Sequence, residues 1–148
     1  MNWTFLRLVL IHIGLNWKVV QWIMGCVNSA FFVILINVSP SNFFKSGRGL
    51  RQGCPLSPLL FLLVVDCFSR MIRRVKLGGK FHGFKVSMGS LITHLMFVDD
   101  IIILGSGNVE EWFYLKRILV DLCKASELEI NVKKSCFIHT NVEDSVLQ

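Results

Sequence analysis

The chain lacks the features that mark a secreted or membrane protein. Its longest uninterrupted apolar runs, at 30–36 and 59–65, have seven residues each, far short of the ~20 that span a bilayer. Asn2, Arg7 and His12 interrupt the first apolar stretch, so no secretory signal pattern opens the sequence. We therefore expect an intracellular protein with no membrane partner.

The five cysteines are scattered, include no C-x-x-C pair, and have no zinc-like spacing with the four histidines. This distribution argues against a disulfide framework or a structural zinc site and favours free thiols in a reducing compartment. Acidic residues are also scarce: 16 Lys and Arg stand against 10 Asp and Glu, giving a net charge of +6. A basic balance favours nucleic acid as a partner, although many basic domains bind nothing acidic.

Hydrophobic residues make up 53% of the 148, enough for one domain with a core. The mean hydropathy of +0.56 is high for a soluble domain. We interpret the excess as core, or as surface that meets other parts of a larger protein.

Helices and strands are interleaved along the chain. Periodicity and cap signals predict helices at 4–13, 17–27, 59–75 and 109–124. Runs of β-branched and aromatic residues predict strands at 30–37, from 43, at 81–86, 91–97, 101–104, 128–132 and 136–139. This pattern indicates an α+β fold, an antiparallel sheet with helices packed on one face.

The third helix carries three further expectations. Ser57 before Pro58 is typical of a helix start, because the hydroxyl caps and proline suits the first turn. Its first half is apolar nearly all round and is expected to be buried. Asp66 is expected to pair with Arg70 one turn on.

Two adjacent acids, Asp99 and Asp100, interrupt an apolar stretch at the predicted tip of a hairpin. Apolar neighbours and a like charge both disfavour ionised carboxylates, and a bound divalent cation would relieve both effects. Two such ions can hold the attacking and leaving oxygens of a phosphoryl transfer. A solvated turn explains an Asp-Asp pair equally well when the pair is taken alone.

The loop before the third helix combines two glycines, two prolines, an arginine and a glutamine within Gly49–Pro58. Exposed backbone N–H groups and an arginine suit a phosphate or a base edge. Composition alone also allows an ordinary loop that leads into a capped helix.

Together these segments resemble the reverse transcriptase of LINE-type (non-LTR) retrotransposons. Residues 49–58 resemble motif B, Phe97-Val98-Asp99-Asp100 resembles motif C, and 126–135 resembles motif D. The resemblance implies one partial reverse transcriptase domain over 1–148. It would be the palm of a right-hand polymerase with partial fingers and no thumb. The implied activity is RNA-directed DNA synthesis by two-metal nucleotidyl transfer.

The resemblance also implies roles for individual residues. Asp99 and Asp100 would hold Mg²⁺, or Mn²⁺ in its place, and Lys134 would donate a proton to the departing pyrophosphate. The residues implied to line the template and nucleotide side are Arg51, Gln52, Gly53, Pro55, Ser57 and Phe97. The implied partners are an RNA template, a DNA primer, deoxynucleoside triphosphates, and the fingers and thumb of a longer polymerase. A nuclear location would follow from the family's behaviour.

Departures from the family pattern temper this expectation. Met1–Leu6 matches only the tail of motif A, whose metal-binding aspartate would fall two residues before Met1. Val38, Asn42 and Glu127 stand where the family usually has glycine. We therefore expect the chain to be inactive alone. Two alternatives are a non-catalytic nucleic-acid-binding remnant and a decayed copy that folds poorly.

Overall fold

A computed structural model of the chain describes residues 1–86 and 89–138. Four α-helices fall where periodicity predicts them. They are α1 (Trp3–His12), α2 (Trp17–Asn28), α3 (Leu56–Leu77) and α4 (Val109–Ser126). A short 3-10 helix follows at Val132–Lys134. None of the helices in the described ranges is both long enough and apolar enough to cross a membrane.

All strand pairing is antiparallel among the residues that the structure describes. The strands are β1 (Phe31–Phe32), β2 (Leu35–Ile36), β3 (Ser39–Pro40), β4 (Phe44–Lys45), β5 (Phe84–Lys85), β6 (Leu91–Ile92), β7 (His94–Phe97) and β8 (Asp100–Ile103). The pairs are β1 with β4, β2 with β3, β5 with β6, and β7 with β8. The mixed α+β class and the antiparallel pairing are confirmed, but the described strands form four separate two-stranded sheets rather than one sheet.

The chain divides into two compact units. The first comprises Met1–Val64 with Ala125–Glu127, and the second comprises Val65–Lys124 with Leu128–Gln148. In the first unit, α1 packs against α2. The fully or nearly buried apolar side chains of this unit come from its helices and are Leu6, Val9, Leu10, Val20, Met24, Leu60 and Val64.

The second unit has its own hydrophobic core. Its fully buried members are Phe68, Ile72, Phe81, Leu115 and Ile118, with Ile103 and Leu119 among the partly buried residues packed on them. Each such side chain contributes about 1.5–3 kcal/mol through its removal from water. Because α3, α4 and strand β8 all supply this core, it holds the hairpin that carries the two acids against the helices.

Two expectations about α3 are wrong. The first half of α3 is not buried all round, since Leu59 and Leu62 are more than half exposed. Helix α3 begins at Leu56, so Ser57 lies inside its first turn. The hydroxyl of Ser57 donates to the carbonyl oxygen of Arg51 at 2.8 Å and so ties the helix start to the preceding loop.

The predicted strands near the end of the chain are also absent from the described residues. Residues 128–131 are irregular, and the segment continues into the 3-10 helix. Residues 135–138 are irregular too, and His139 lies outside the described residues. These short apolar runs are largely exposed, and neither is paired in a sheet within the described residues. The expected pairing of Asp66 with Arg70 is confirmed, at 2.6 Å.

The β2–β3 hairpin turns at the end of the segment predicted as a strand at 30–37. Leu35 pairs with Pro40 and Ile36 with Ser39, which leaves Asn37 and Val38 as the turn. Both turn residues have positive φ, 50° and 70°. Such two-residue turns favour glycine, particularly in the second position, because a β-branched side chain is strained there. Val38 is one of the positions where the resemblance stated above predicts glycine.

A buried carboxylate joins three segments of the second unit. Glu111, in the first turn of α4, is 3% exposed. One of its oxygens accepts from the backbone N–H of His82 at 2.7 Å and lies 2.8 Å from the Nδ1 of His82. The other accepts from the N–H of Ser106 at 2.8 Å. Burial alone would raise the pKa of Glu111, but the hydrogen bonds from Ser106 and His82 outweigh it and hold the pKa below its usual range.

Replacing Val38 with glycine should stabilise the first unit by about 0.5–1 kcal/mol. The free energy gained by relieving the left-handed backbone strain exceeds the free-energy cost of the extra conformational entropy that glycine loses on folding. Val38→Ala is the control, since it removes the same 94% exposed side chain but keeps a Cβ in the strained region. Urea denaturation of the three proteins provides the measurement. Equal stabilisation by alanine and glycine would show that the backbone is not strained.

Replacing Glu111 with glutamine should destabilise the second unit by about 1–3 kcal/mol at neutral pH, since a buried pair of N–H donors loses its ionised acceptor. Because the pKa of the folded-state carboxyl lies below its ordinary 4.5, the native stabilisation is present above pH 4.5. It is lost as the pH falls through the folded pKa. Amide hydrogen exchange at His82 and Ser106 across pH 3–7 reports this directly.

Glu110→Gln is the matched control for the Glu111 variant. Glu110 is the neighbouring acid, but its carboxylate is exposed and pairs with Lys80 at 3.0 Å, a kind of contact worth about 0–1 kcal/mol. Its loss should leave exchange at His82 and Ser106 nearly unchanged. Similar effects of the two variants would mean that Glu111 does not join these segments.

Candidate active site

The two adjacent acids lie at the tip of the β7–β8 hairpin. His94 pairs with Ile103, and the register continues to the last pair, Phe97 with Asp100. Val98 and Asp99 therefore form a two-residue turn, and Asp100 is the first residue of the returning strand. The predicted hairpin with acids at its tip is confirmed.

The backbone at this tip is strained. Val98 has φ of 54°, a value that β-branched residues rarely adopt. When only the first position of a two-residue hairpin turn has positive φ, glycine is the usual residue there. Strain of this kind costs about 1–3 kcal/mol and is concentrated at functional sites. The conformation places Asp99 at the corner of the turn, immediately after the strained residue.

Both carboxylates are exposed, so water solvates their charges. The apolar residues around them are also open: Phe97 is 78% exposed and Ile102 is 58% exposed. The expectation that burial makes these charges costly is therefore wrong. Two exposed carboxylates with free oxygens still fit Mg²⁺, which takes one or two carboxylates together with waters and substrate phosphates. Within 1–86 and 89–138, no group of three or more metal-binding side chains is assembled.

The loop of the first unit presents its polar residues to solvent. Arg51, Gln52 and Gly53 are all exposed, as is Pro55. Gly53 has φ of 76°, which allows the chain to reverse between Arg51 and the start of α3. The N–H of Cys54 approaches the carbonyl oxygen of Arg51 at 3.4 Å. A hydrogen bond from the backbone N–H of Leu56 lowers the pKa of the Cys54 thiol, with further contributions from Ser57 and Arg51.

The start of the chain is tied to this loop. Asn2 caps α1, its side-chain oxygen accepting from the N–H groups of Thr4 and Phe5 at 2.8 and 3.1 Å. The indole N–H of Trp3 donates to the carbonyl oxygen of Gly49 at 2.7 Å. The N–H of Gly49 in turn donates to the carbonyl oxygen of Met1 at 2.9 Å. Sequence reasoning did not identify these contacts, although an asparagine before an apolar helix is a capping signal.

The beginning of motif D also belongs to the first unit. Ser126 is fully buried, and its carbonyl oxygen accepts from the N–H of Asn2 at 2.7 Å. The amide of Asn2 donates to the carboxylate of Glu127 at 2.8 Å. Glu127 has φ of 54°, so it adopts a glycine-like conformation where the family usually has glycine. A cleft of about 510 Å³ is lined here by Asn2, Trp3, Thr4, Gly47, Arg48 and Glu127.

The structure brings together only part of the predicted site. Phe97, Asp99 and Asp100 share one hairpin of the second unit. The predicted template and nucleotide residues of the loop lie in the first unit. Lys134 lies in the second unit, exposed at the end of the 3-10 helix, and among the described residues no hydrogen bond or ion pair joins it to either acid.

Comparisons with known proteins identify the family of the chain. A model of the family described as reverse transcriptase (RNA-dependent DNA polymerase) matches residues 9–146. An uncharacterized mitochondrial protein of Arabidopsis thaliana is 42% identical over 71 residues, 47% of this chain and 58% of that protein. A retrovirus-related Pol polyprotein from the type-1 retrotransposable element R2 of Popillia japonica is 27% identical over 97 residues, 66% of this chain.

The matched segments cover 58% of the Arabidopsis protein and 15% of the R2 polyprotein. Since the family match extends over nearly the whole chain, the chain belongs to the reverse transcriptase family.

Proposed function

We propose that the chain forms the palm, with part of the fingers, of an RNA-directed DNA polymerase from a non-LTR retrotransposon. The observation that carries the proposal is the Asp99–Asp100 pair at the tip of a strained antiparallel hairpin. Exposed acids at a fixed tip, next to a residue held in a costly conformation, are the arrangement expected of a metal-dependent site.

The proposed reaction extends a DNA primer on an RNA template. The primer's 3′-oxygen forms a bond to the α-phosphorus of a deoxynucleoside triphosphate, and the bond from that phosphorus to the pyrophosphate oxygen breaks. Mg²⁺, or Mn²⁺ in its place, would neutralise the phosphate charge when bound. Asp99 and Asp100 would hold the ion, and Phe97, which pairs with Asp100 across the hairpin, would lie beside the primer end.

The loop residues have proposed roles on the template and nucleotide side. Arg51 can pair with a phosphate through its guanidinium, and Gln52 can bond to a base or sugar edge; both side chains are exposed. Gly53 and Pro55 would shape the backbone, and Ser57 would hold the loop through its bond to Arg51. Lys134 would protonate the departing pyrophosphate, which is consistent with its exposed ammonium.

A second candidate function is nucleic-acid binding without catalysis. It is favoured by the net charge of +6 and by the absence of a third metal-binding side chain near Asp99 and Asp100 in the described part of the chain. Two carboxylates alone balance little of the charge of two divalent ions. We therefore propose that the 148 residues by themselves bind metal weakly and extend a primer poorly.

Primer extension separates these functions. On a poly(rA)/oligo(dT) template with Mg²⁺, the 148-residue chain should give little product. A version preceded by Phe-Asp-Ser, the family's motif A sequence, should give more. Asp99→Asn in that version should reduce the rate by roughly 100-fold or more. Asp121→Asn is the control, because Asp121 is an exposed acid 3.9 Å from Arg117 on α4.

Metal binding can be measured on the 148-residue chain itself. Mn²⁺ should broaden the NMR signals of residues 97–101 first, and Asp99→Asn should abolish this effect while Asp121→Asn leaves it unchanged. Broadening that persists in Asp99→Asn would remove the basis of the polymerase proposal. Metal binding without extension by either version would favour the non-catalytic function.

A further inference from the structure

A second cleft, of about 590 Å³, lies within the second unit, away from the hairpin tip. One wall is a single face of α3, and the other is the residue before β7 together with the first residue of that strand. The lining residues are Ser69, Arg73, Lys76, Leu77, Thr93 and His94.

Hydrogen bonds fix the wall opposite α3. The ring of His94 lies between two hydroxyls: Thr93 Oγ1 is 2.9 Å from its Nδ1, and Ser69 Oγ is 2.9 Å from its Nε2. The ring of Phe68 meets that of His94 edge to face, with centroids 5.7 Å apart. Burial lowers the pKa of His94, so the imidazole is neutral at physiological pH. The charge of the cleft therefore comes from α3.

Two cations on α3 face this cleft without an acid to neutralise them. Arg73 is exposed and has no hydrogen-bond or ion-pair partner in the described part of the chain. Lys76 donates one hydrogen to the carbonyl oxygen of Leu91 at 3.0 Å and retains two others. By contrast, Arg70, which follows Ser69 on the same helix, is paired with Asp66.

Three other acids of the second unit are engaged elsewhere. Asp66 pairs with Arg70 at 2.6 Å, Glu110 with Lys80 at 3.0 Å, and Glu111 with His82. No carboxylate is among the residues that line the cleft. The concave surface therefore offers hydrogen-bond donors and positive charge, together with the apolar side chain of Leu77.

We propose that this cleft binds a phosphodiester of a nucleic-acid backbone, as a contact separate from both the hairpin tip and the loop of the first unit. The inference rests on the proposed function, which supplies the nucleic acid. Arg73 can chelate a phosphate through two parallel N–H groups, Lys76 adds a point charge, and Leu77 can meet a sugar.

The position of the cleft fits a polymer rather than a nucleotide in reaction. His94 begins β7 and Asp99 lies in the turn after it, five residues on, which corresponds to roughly 16 Å along an extended chain. One nucleic-acid strand advances about 3.4 Å per nucleotide. A phosphate bound in the cleft would therefore lie about five nucleotides along the strand from a phosphate bound at the hairpin tip.

Fluorescence anisotropy with a labelled 20-nucleotide RNA, in EDTA and without nucleotides, tests the cleft independently of catalysis. Arg73→Gln should weaken binding about 5- to 10-fold near 0.1 M salt and lower the salt slope by about 0.7–0.9. Arg74→Gln is the matched control, because Arg74 is the adjacent exposed arginine and does not line the cleft. Its effect should be less than about 2-fold at the same salt concentration.

The imidazole NMR signals of His94 provide a second readout on the unaltered chain. Titration with the RNA should shift them, whereas those of His12, on α1 of the first unit, should move little. Equal losses from the two arginine variants would mean diffuse attraction and overturn the proposal. It would also be overturned by absent RNA binding or by His94 signals that stay fixed. Failed primer extension with intact binding in the cleft would reject only the polymerase function.

Discussion

The register of the β7–β8 hairpin is the constraint on which the candidate site depends. Side chains alternate along a strand, so a slip of one residue would exchange the faces of every residue in both arms. The observed pairing puts Ile103 on the core of the second unit and His94 against Ser69, while the turn carries Asp99. The same register that buries one end of the hairpin therefore exposes the acids at the other.

Two kinds of interaction hold this register in place. The apolar core joins the hairpin to α3 and α4 without directional preference, whereas Glu111 fixes the loops at 82 and 106 through directed hydrogen bonds. Burying a carboxylate is costly unless hydrogen bonds compensate for the lost water, and here three nitrogen atoms do so. These hydrogen bonds tie the loop that follows β8 to the first turn of α4. β8 is the strand that returns from the acids.

Much of this architecture could be predicted from local sequence. The four helices follow from periodicity, and the acidic hairpin follows from two apolar arms around a polar pair. The short strands at 128–132 could not be separated from irregular chain, because an apolar run alone does not show whether a partner exists. Contacts between distant segments, such as Trp3 with Gly49 or Glu111 with His82, leave no local signal. The roles of Lys134 and of the loop residues, and the nuclear location, stay predictions.

The contact between Asn2 and Glu127 has a consequence for how substitutions combine. Glu127 occupies a left-handed conformation that glycine adopts freely, yet its carboxylate also holds the amide of the residue that caps α1. A change at either position removes the same hydrogen bond, so the two effects will not add. Glycine at 127 would relieve the backbone strain but lose this hydrogen bond, so its net benefit depends on which residue stands at position 2. The effect of a substitution at either of these two positions, 125 residues apart, therefore depends on the residue at the other.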